Sequence, residues 1–350
     1  MAKSEIVIDG SQGEGGGQIL RTSVGLSAAL GIPVRITGIR ARRPKPGLRP
    51  QHLAAVRAAA AVCDAEVSGD QPGSAALTFR PGQVHGGSFR FDIGTAGSGM
   101  LVLQTIIPAL MLCGQDAEVT VTGGTHNPLA PCFEYVRDVY GVLGSAMNLQ
   151  AYFDLVRAGF YPAGGGEVQM QVRGLDAPEQ IAPLRLASRG ELKYIEGISA
   201  ASRSLPEHIV ERQAAQALGR LAERGHRATI EHAAWESFCP GTIVFLRAVF
   251  ARTVAGFFAL GARGKRAEQV ADEAVDPLLE FLDSDGVVDA HAADQVLTLA
   301  AICPEESHFR TERVTDHLLT NAEIIRQLTS RQVTIPTSGA EAAVVRIAPL

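Results

Sequence analysis

Gly10-Ser11-Gln12-Gly13-Glu14-Gly15-Gly16-Gly17-Gln18-Ile19-Leu20-Arg21-Thr22 joins an apolar run, Glu5-Ile6-Val7-Ile8-Asp9, to an amphipathic run from Gln18 to Leu30. The pattern predicts a strand, a glycine turn and a helix. Glycine adopts positive φ at no steric cost and lets a ligand approach the backbone closely. The start of the following helix offers unpaired N–H groups to an anion. If the helix starts near Glu14, the spacing puts Glu14, Gln18 and Arg21 on one face. A carboxylate, an amide and a guanidinium at such a turn suggest metal and phosphate chemistry. A hairpin whose charges are simply solvated is the other reading. The stretch is neither a Walker loop nor GxGxxG, because no Lys-Ser/Thr closes it and the glycine spacing differs.

The order of elements recurs outward from this stretch. Pro33–Thr37 predicts a strand, Pro50–Val62 a helix, and Glu66–Ser68 and Ala75–Phe79 two closing strands. A second copy follows: strand Phe89–Ile93, turn Gly94–Gly99, apolar helix Met100–Leu112, strand Ala117–Thr122 and helix Cys132–Leu143. A third copy is split. Its strands are expected at 154–158 and 167–172, its first helix near Ala293–Ile302 and its second from His317. An α/β fold of three βαβαββ-like units is expected, with residues 1–183 and 275–350 as one domain and 184–274 as a smaller inserted one. In each copy a polar or glycine-rich loop precedes each helix, so these loops can converge on one face.

Composition narrows the function classes. The chain has 350 residues, 46% of them hydrophobic and 20% charged, which is ample for a core and too apolar for disorder. At a net charge of −5, a nucleic-acid partner would have to be met by a local basic patch. The five cysteines form no CxxC pair, which suits a reducing cytoplasm and argues against a disulfide framework. No signal segment or membrane-length apolar run is visible, so a cytoplasmic protein is expected. Its oligomeric state is left open between monomer and homodimer.

The basic patch exists. Six of the fifteen residues from Arg35 to Arg49 are Arg35, Arg40, Arg42, Arg43, Lys45 and Arg49. Prolines and Gly47 stiffen the segment. Arginine forks bind phosphate in a bidentate way, so a phosphorylated polymer end suits this loop; a solvated basic loop is the plain alternative. Among nine histidines, His317 stands out by position, at the expected start of a helix that favours neutral imidazole and that Asp316 could cap. Gln104, Asp294 and Gln295 place polar groups on apolar helices, where they need partners. No GxSxG elbow and no HExxH motif occurs.

In their shared order, these stretches resemble the RNA 3′-terminal phosphate cyclase family across nearly the whole chain. The resemblance rests on Asp9–Thr22, Ile39–His52, Gly123-Gly124-Thr125, Arg157-Ala-Gly-Phe-Tyr-Pro-Ala-Gly-Gly-Gly166, Ala293-Asp-Gln295 and His317-Leu-Leu-Thr-Asn321. It implies three repeated units around a pseudo-threefold, with a small domain inserted in the third. It implies ATP-dependent conversion of an RNA 3′-phosphate to a 2′,3′-cyclic phosphate through a histidine-AMP intermediate. The histidine would be His317. Glu14 would bind a divalent metal, Mg²⁺ or Mn²⁺. Gln18 and Arg21 share that motif, and Arg40 and Arg43 would hold the phosphate end. Gln104, Pro131, His291, Ala292, Ala293, Asp294 and Gln295 would form the ATP pocket. The family commonly has an aromatic where His291 stands. Two other readings stay open: a cyclase-like ribosome-assembly factor without this activity, and an enolpyruvyl transferase built from similar repeats.

Overall fold

The computed structural model describes residues 3–336 and 342–350. The glycine stretch lies between β1 (Ile6–Asp9) and α1 (Gly17–Leu30). β2 (Val34–Thr37), α2 (Pro50–Val62), β3 (Glu66–Ser68) and β4 (Leu77–Arg80) follow. Pro50 fits the first helical position because the N–H it lacks would be unpaired there. The sheet runs β1-β2-β4-β3, parallel at its first pair and antiparallel at the other two.

Next come β5 (Gly87–Asp92), α3 (Gly99–Met111) and β6 (Ala117–Gly123). The expected helix at 132–143 is broken into α4 (Phe133–Tyr135), a π turn (Val136–Tyr140) and α5 (Gly141–Ser145). β7 (Gln150–Arg157) and β8 (Gly166–Arg173) then close a sheet of order β5-β6-β8-β7, with the same sequence of pairings as the first. The strands expected at 154–158 and 167–172 therefore belong to the second sheet and not to a third copy. Matched apolar pairs hold them there: Val168 opposite Val121, Met170 opposite Val119 and Val172 opposite Ala117.

The third sheet opens with the two-residue β9 (Arg185–Leu186), and the chain then departs. It forms β10 (Leu192–Ser202), α6 (His208–Glu223), β11 (Ala228–Trp235), β12 (Thr242–Phe250), β13 (Val254–Leu260) and α7 (Ala267–Asp283). It returns as α8 (Ala290–Ala300), β14 (Ser307–Thr311), α9 (Asp316–Thr329), β15 (Val333–Thr334) and β16 (Ala343–Ile347). From β9 the order is β9-β14-β16-β15, again one parallel pair and two antiparallel ones.

The departing segment has its own sheet, β11-β10-β12-β13. β12 is apolar almost throughout because both its faces are covered. Val244, Leu246 and Ala248 join Ala217, Leu221, Val270, Ala274 and Leu278 of α6 and α7 in one core. Ile243 and Phe245 join the main core on the other face. Thus α7 packs on this sheet and continues past 274, the limit expected from sequence, to Asp283.

Helix α1 lies against α2, α3 and α9. A Cβ on Gly25 would sit 2.6 Å from the carbonyl oxygen of Thr105, so only glycine allows α1 to approach α3 this closely. Among the described residues, no helix is long and apolar enough to cross a membrane.

Candidate active site

The glycines at the entry to α1 make a turn and not the helix's first residues. Gly13 and Gly15 have φ of +51° and +57°, and the helix begins at Gly17. Glu14 is therefore not on a shared helical face with Gln18 and Arg21, as the spacing suggested; it stands in the turn ahead of them. Gly16 caps α1 without any side-chain hydrogen bond, and the first turn holds no acidic residue. Its leading amides are thus open to an anion.

The start of α9 meets this turn. Thr315, not Asp316, is the cap: its hydroxyl accepts from the Leu318 N–H at 3.1 Å. Asp316 occupies the first turn, and His317 follows with 47% of its side chain exposed. The His317 Nδ1 lies 2.7 Å from Glu14 Oε2. A carboxylate there accepts the Nδ1 proton, leaving Nε2 with its lone pair. Burial lowers the His317 pKa, and the nearby His291 and Arg21 lower it further, against the carboxylates of Glu14 and Asp316. The neutral ring therefore dominates at pH 7.

Beside His317 lies a cavity of about 420 Å³. Gln18, Arg21, Gln104, Pro131, His291, Asp294, Gln295 and His317, all singled out from the sequence, line it. They come from α1, α3, the loop before α4, α8 and α9. Ala292 and Ala293 do not line it; both are fully buried within α8. Gln104 Nε2 donates to Gln295 Oε1 at 2.6 Å, and Gln18 Nε2 donates to Asp294 Oδ2 at 3.1 Å. Asn321 binds both neighbours, accepting from the Thr22 hydroxyl and donating to the Asp294 carbonyl. A wall of Tyr135, Tyr140 and Phe258 was not foreseen. Phe258 comes from β13, so the inserted segment reaches the cavity, whereas neither Trp235 nor Phe238 lines it.

Asp294 is 7% exposed. Burial raises its pKa to about 8; the charges of Asp289 and Glu14 add, while Gln18 and Arg21 oppose. The enclosed Arg21 is brought down to about 10 by burial, against the pull of Asp294. Folded Asp294 thus keeps a proton that an unfolded aspartate sheds near pH 4. Stability contributed this way is complete at low pH and is lost as pH rises from about 4 to about 8. Asp294→Asn should therefore show a flatter fall in melting temperature from pH 5 to 8 than the parent without nucleotide. Parallel curves would mean that Asp294 is ionised throughout.

The basic loop splits into two roles. Arg40, at φ +53°, donates to the carbonyls of Lys45 and Gly47 and so braces the loop itself. Arg43 turns toward α1: its NH2 lies 3.7 Å from Glu14 Oε2, and 3.1 Å from where a Cβ on Gly16 would be. His52, unassigned from sequence, is buried, and its Nδ1 accepts from the Arg49 N–H at 3.2 Å. Burial, then the charges of Arg21, Arg40 and Arg49, lower its pKa to about 3. It is neutral with its proton on Nε2, and that atom faces Gly17, 2.2 Å from a hypothetical Cβ. A further donor thus joins the α1 amides.

His126 also proves to be paired. It lies between Thr125 Oγ1 (2.7 Å) and Glu134 Oε2 (3.0 Å), against Phe160 and Trp235, and all three polar residues are buried. This cluster fastens the inserted segment to the second sheet. Its order Thr-His-Glu mimics a nucleophilic triad, but burial keeps it from substrate. Among the described residues, no group of three or more His, Cys, Asp or Glu side chains could hold a metal.

A cavity, open helix amides, arginines and a histidine beside a carboxylate form one continuous site. The sequence model of the RNA 3′-terminal phosphate cyclase family matches residues 12–335. A protein of that name from Methylococcus capsulatus is 44% identical over 347 residues, covering 97% of this chain and 95% of the relative. One from Trichormus variabilis is 42% identical, covering 94% and 96%. One from the archaeon Archaeoglobus fulgidus is 42% identical, covering 94% and 97%. By matches of this extent, the chain belongs to the RNA 3′-terminal phosphate cyclase family.

Proposed function

We propose that this protein converts an RNA 3′-terminal phosphate to a 2′,3′-cyclic phosphodiester at the expense of ATP. The reading is carried by one observation: His317, oriented by Glu14 at 2.7 Å, opens onto the cavity between Gln104, Pro131 and Gln295. In the first step Nε2 of His317 attacks the α-phosphorus of ATP, and the bond to pyrophosphate breaks. In the second, an oxygen of the RNA 3′-phosphate attacks the same phosphorus and the P–N bond breaks, giving an RNA-phosphate-AMP anhydride. In the third, the adjacent 2′-hydroxyl attacks the 3′-phosphorus, loses its proton and expels AMP. The three steps give the 3′-phosphorus AMP as a leaving group in place of an oxide, and the histidine adduct divides that activation into two easier transfers.

The α1 amides, Arg21, Arg43 and His52 are the donors that meet the developing phosphate charge. Gln104, Gln295, Pro131 and His291 form the adenosine pocket, with Tyr135 and Phe258 as its far wall. Glu14 would hold Mg²⁺ or Mn²⁺. One carboxylate suffices where waters and substrate phosphates supply the remaining ligands, and the ion supplies charge neutralisation. We read the three like-ordered sheets as repeats about a pseudo-threefold axis, and β10 through α7, residues 192–283, as the inserted domain in place of 184–274.

Incubation with α-labelled ATP and a 3′-phosphorylated oligoribonucleotide tests the reading. Labelled protein and a cyclised end are expected. An enolpyruvyl transferase or an inactive assembly factor would give neither. Arg43→Ala should still label itself but cyclise RNA about 10- to 100-fold more slowly, as expected for one lost charged contact of about 1.5–3 kcal/mol. Equal loss of both activities would place Arg43 on the ATP phosphates.

A further inference from the structure

The Arg157–Gly166 motif remains without a role in the chemistry. It forms a loop after β7, and the β11–β12 connection lies along it: Ala158 N–H donates to the Glu236 carbonyl, and Cys239 Sγ donates to the Phe160 carbonyl. Two aromatic rings stand out of this pair of loops. Tyr161 and Phe238 are each 67% exposed. Phe238 is nevertheless held in place. Gly165, at φ +66°, has no Cβ, and one would lie 2.1 Å from the Phe238 ring. The Arg157 guanidinium lies 4.5 Å from the ring centroid, and its Nε donates to the Gly165 carbonyl at 2.7 Å. An exposed ring fixed on both the loop and a cation loses little further entropy when something stacks on it.

This platform is continuous with the phosphate site. Gln51, next to His52 at the start of α2, accepts from the Ser98 N–H at 3.4 Å. The 94–99 turn that carries Ser98 touches the motif, since a Cβ on Gly164 would sit 2.7 Å from the Ala96 Cα. The path thus runs from His52 over the turn to Gly164, Gly165 and Phe238. Cations along it are already paired: Arg90 and Arg157 with Glu167, and Arg203 with Glu236. Such a surface offers π faces more than free charge, which suits single-stranded bases and not duplex phosphates.

We propose that Tyr161 and Phe238 form a stacking platform for the unpaired bases a few nucleotides upstream of the RNA 3′-phosphate. The proposal rests on the function proposed above and extends it to how the RNA body is held. The chain positions the terminal phosphate at α1 and α2, and the platform selects a single-stranded 3′ tail of sufficient length.

The test compares an octaribonucleotide with a dinucleotide, both 3′-phosphorylated. Binding is read by fluorescence anisotropy and turnover by cyclisation. Tyr161→Ala and Phe238→Ala should each weaken octamer binding about 5- to 100-fold, as for one lost base stack. Dinucleotide cyclisation and labelling by ATP should stay at parent levels, and Phe238→Trp should restore octamer binding. Unchanged octamer binding in the double variant overturns the platform, as does equal loss for both lengths. Because binding is measured without turnover, a parent protein that binds the octamer but makes no cyclic end would count against the reaction and not against the platform.

Discussion

His317→Ala should form no covalent adduct with α-labelled ATP and should cyclise no RNA. It should still bind ATP within about tenfold of the parent, a difference of about 1.4 kcal/mol. The geometry explains both halves. The cavity that would take the nucleotide is lined by residues of many segments, and His317 is only one of them. The other candidate nucleophiles are poorly placed. Burial raises the pKa of the Cys132 thiol well above its usual value and that of Cys63 to about 11, so both stay protonated. His126 is buried with both ring nitrogens engaged, and the buried His52 accepts at Nδ1 from the Arg49 N–H and carries its proton on Nε2, so neither offers a free lone pair. His317 alone combines a helix start, a carboxylate on Nδ1 and an exposed Nε2 side. A phosphoramidate on histidine breaks in acid and survives in alkali, so the labelled parent should lose AMP at low pH only. An adduct that persists in His317→Ala, or that maps to another residue by mass spectrometry, would show the assignment to be wrong.

Much of this was legible in the sequence because it depends on local patterning. Strand-glycine-helix order and the start of α2 at Pro50 follow from periodicity and breakers. Eight of the site residues singled out from the sequence line one cavity. What local patterning does not reach is decided by tertiary partners. Nothing local tells that β7 and β8 close the second sheet; the pairing of Val168 with Val121 does. The position of Glu14 turned on a helix boundary three residues away, and positive φ at Gly13 and Gly15 placed it in a turn. Arg40 and Arg43 look alike in sequence, yet one braces its own loop while the other faces α1. Phe258 carried no signal, since its role comes from the way β13 docks beside Tyr135, with ring centroids 6.1 Å apart. The packing of His126 against Phe160 and Trp235 carries no local signal because those rings lie far along the chain.

Replacing Glu14 should have an effect nearly as large as replacing His317, and its two roles can be separated. As the acceptor for Nδ1–H, Glu14 sets the tautomer of His317, and an amide oxygen in Glu14→Gln can do the same. As a metal ligand it needs its charge, which Gln lacks. If Glu14 only orients the imidazole, Glu14→Gln should retain activity within a few-fold while Glu14→Ala loses it. If Glu14 also holds the ion, both variants should fall together, by on the order of 100-fold or about 2.7 kcal/mol. Raising Mg²⁺ or Mn²⁺ should then restore part of the activity, with the midpoint of the metal titration moved to higher concentration. We expect the second result. The turn places Glu14 between a histidine and an arginine, both of which an ionised carboxylate already serves. Its uncharged replacement would leave Arg43 without that carboxylate and would take away the charge a bound ion would need. A Glu14→Gln enzyme with the parent's rate and the parent's metal dependence would remove the metal from this site and leave Glu14 as the residue that positions His317.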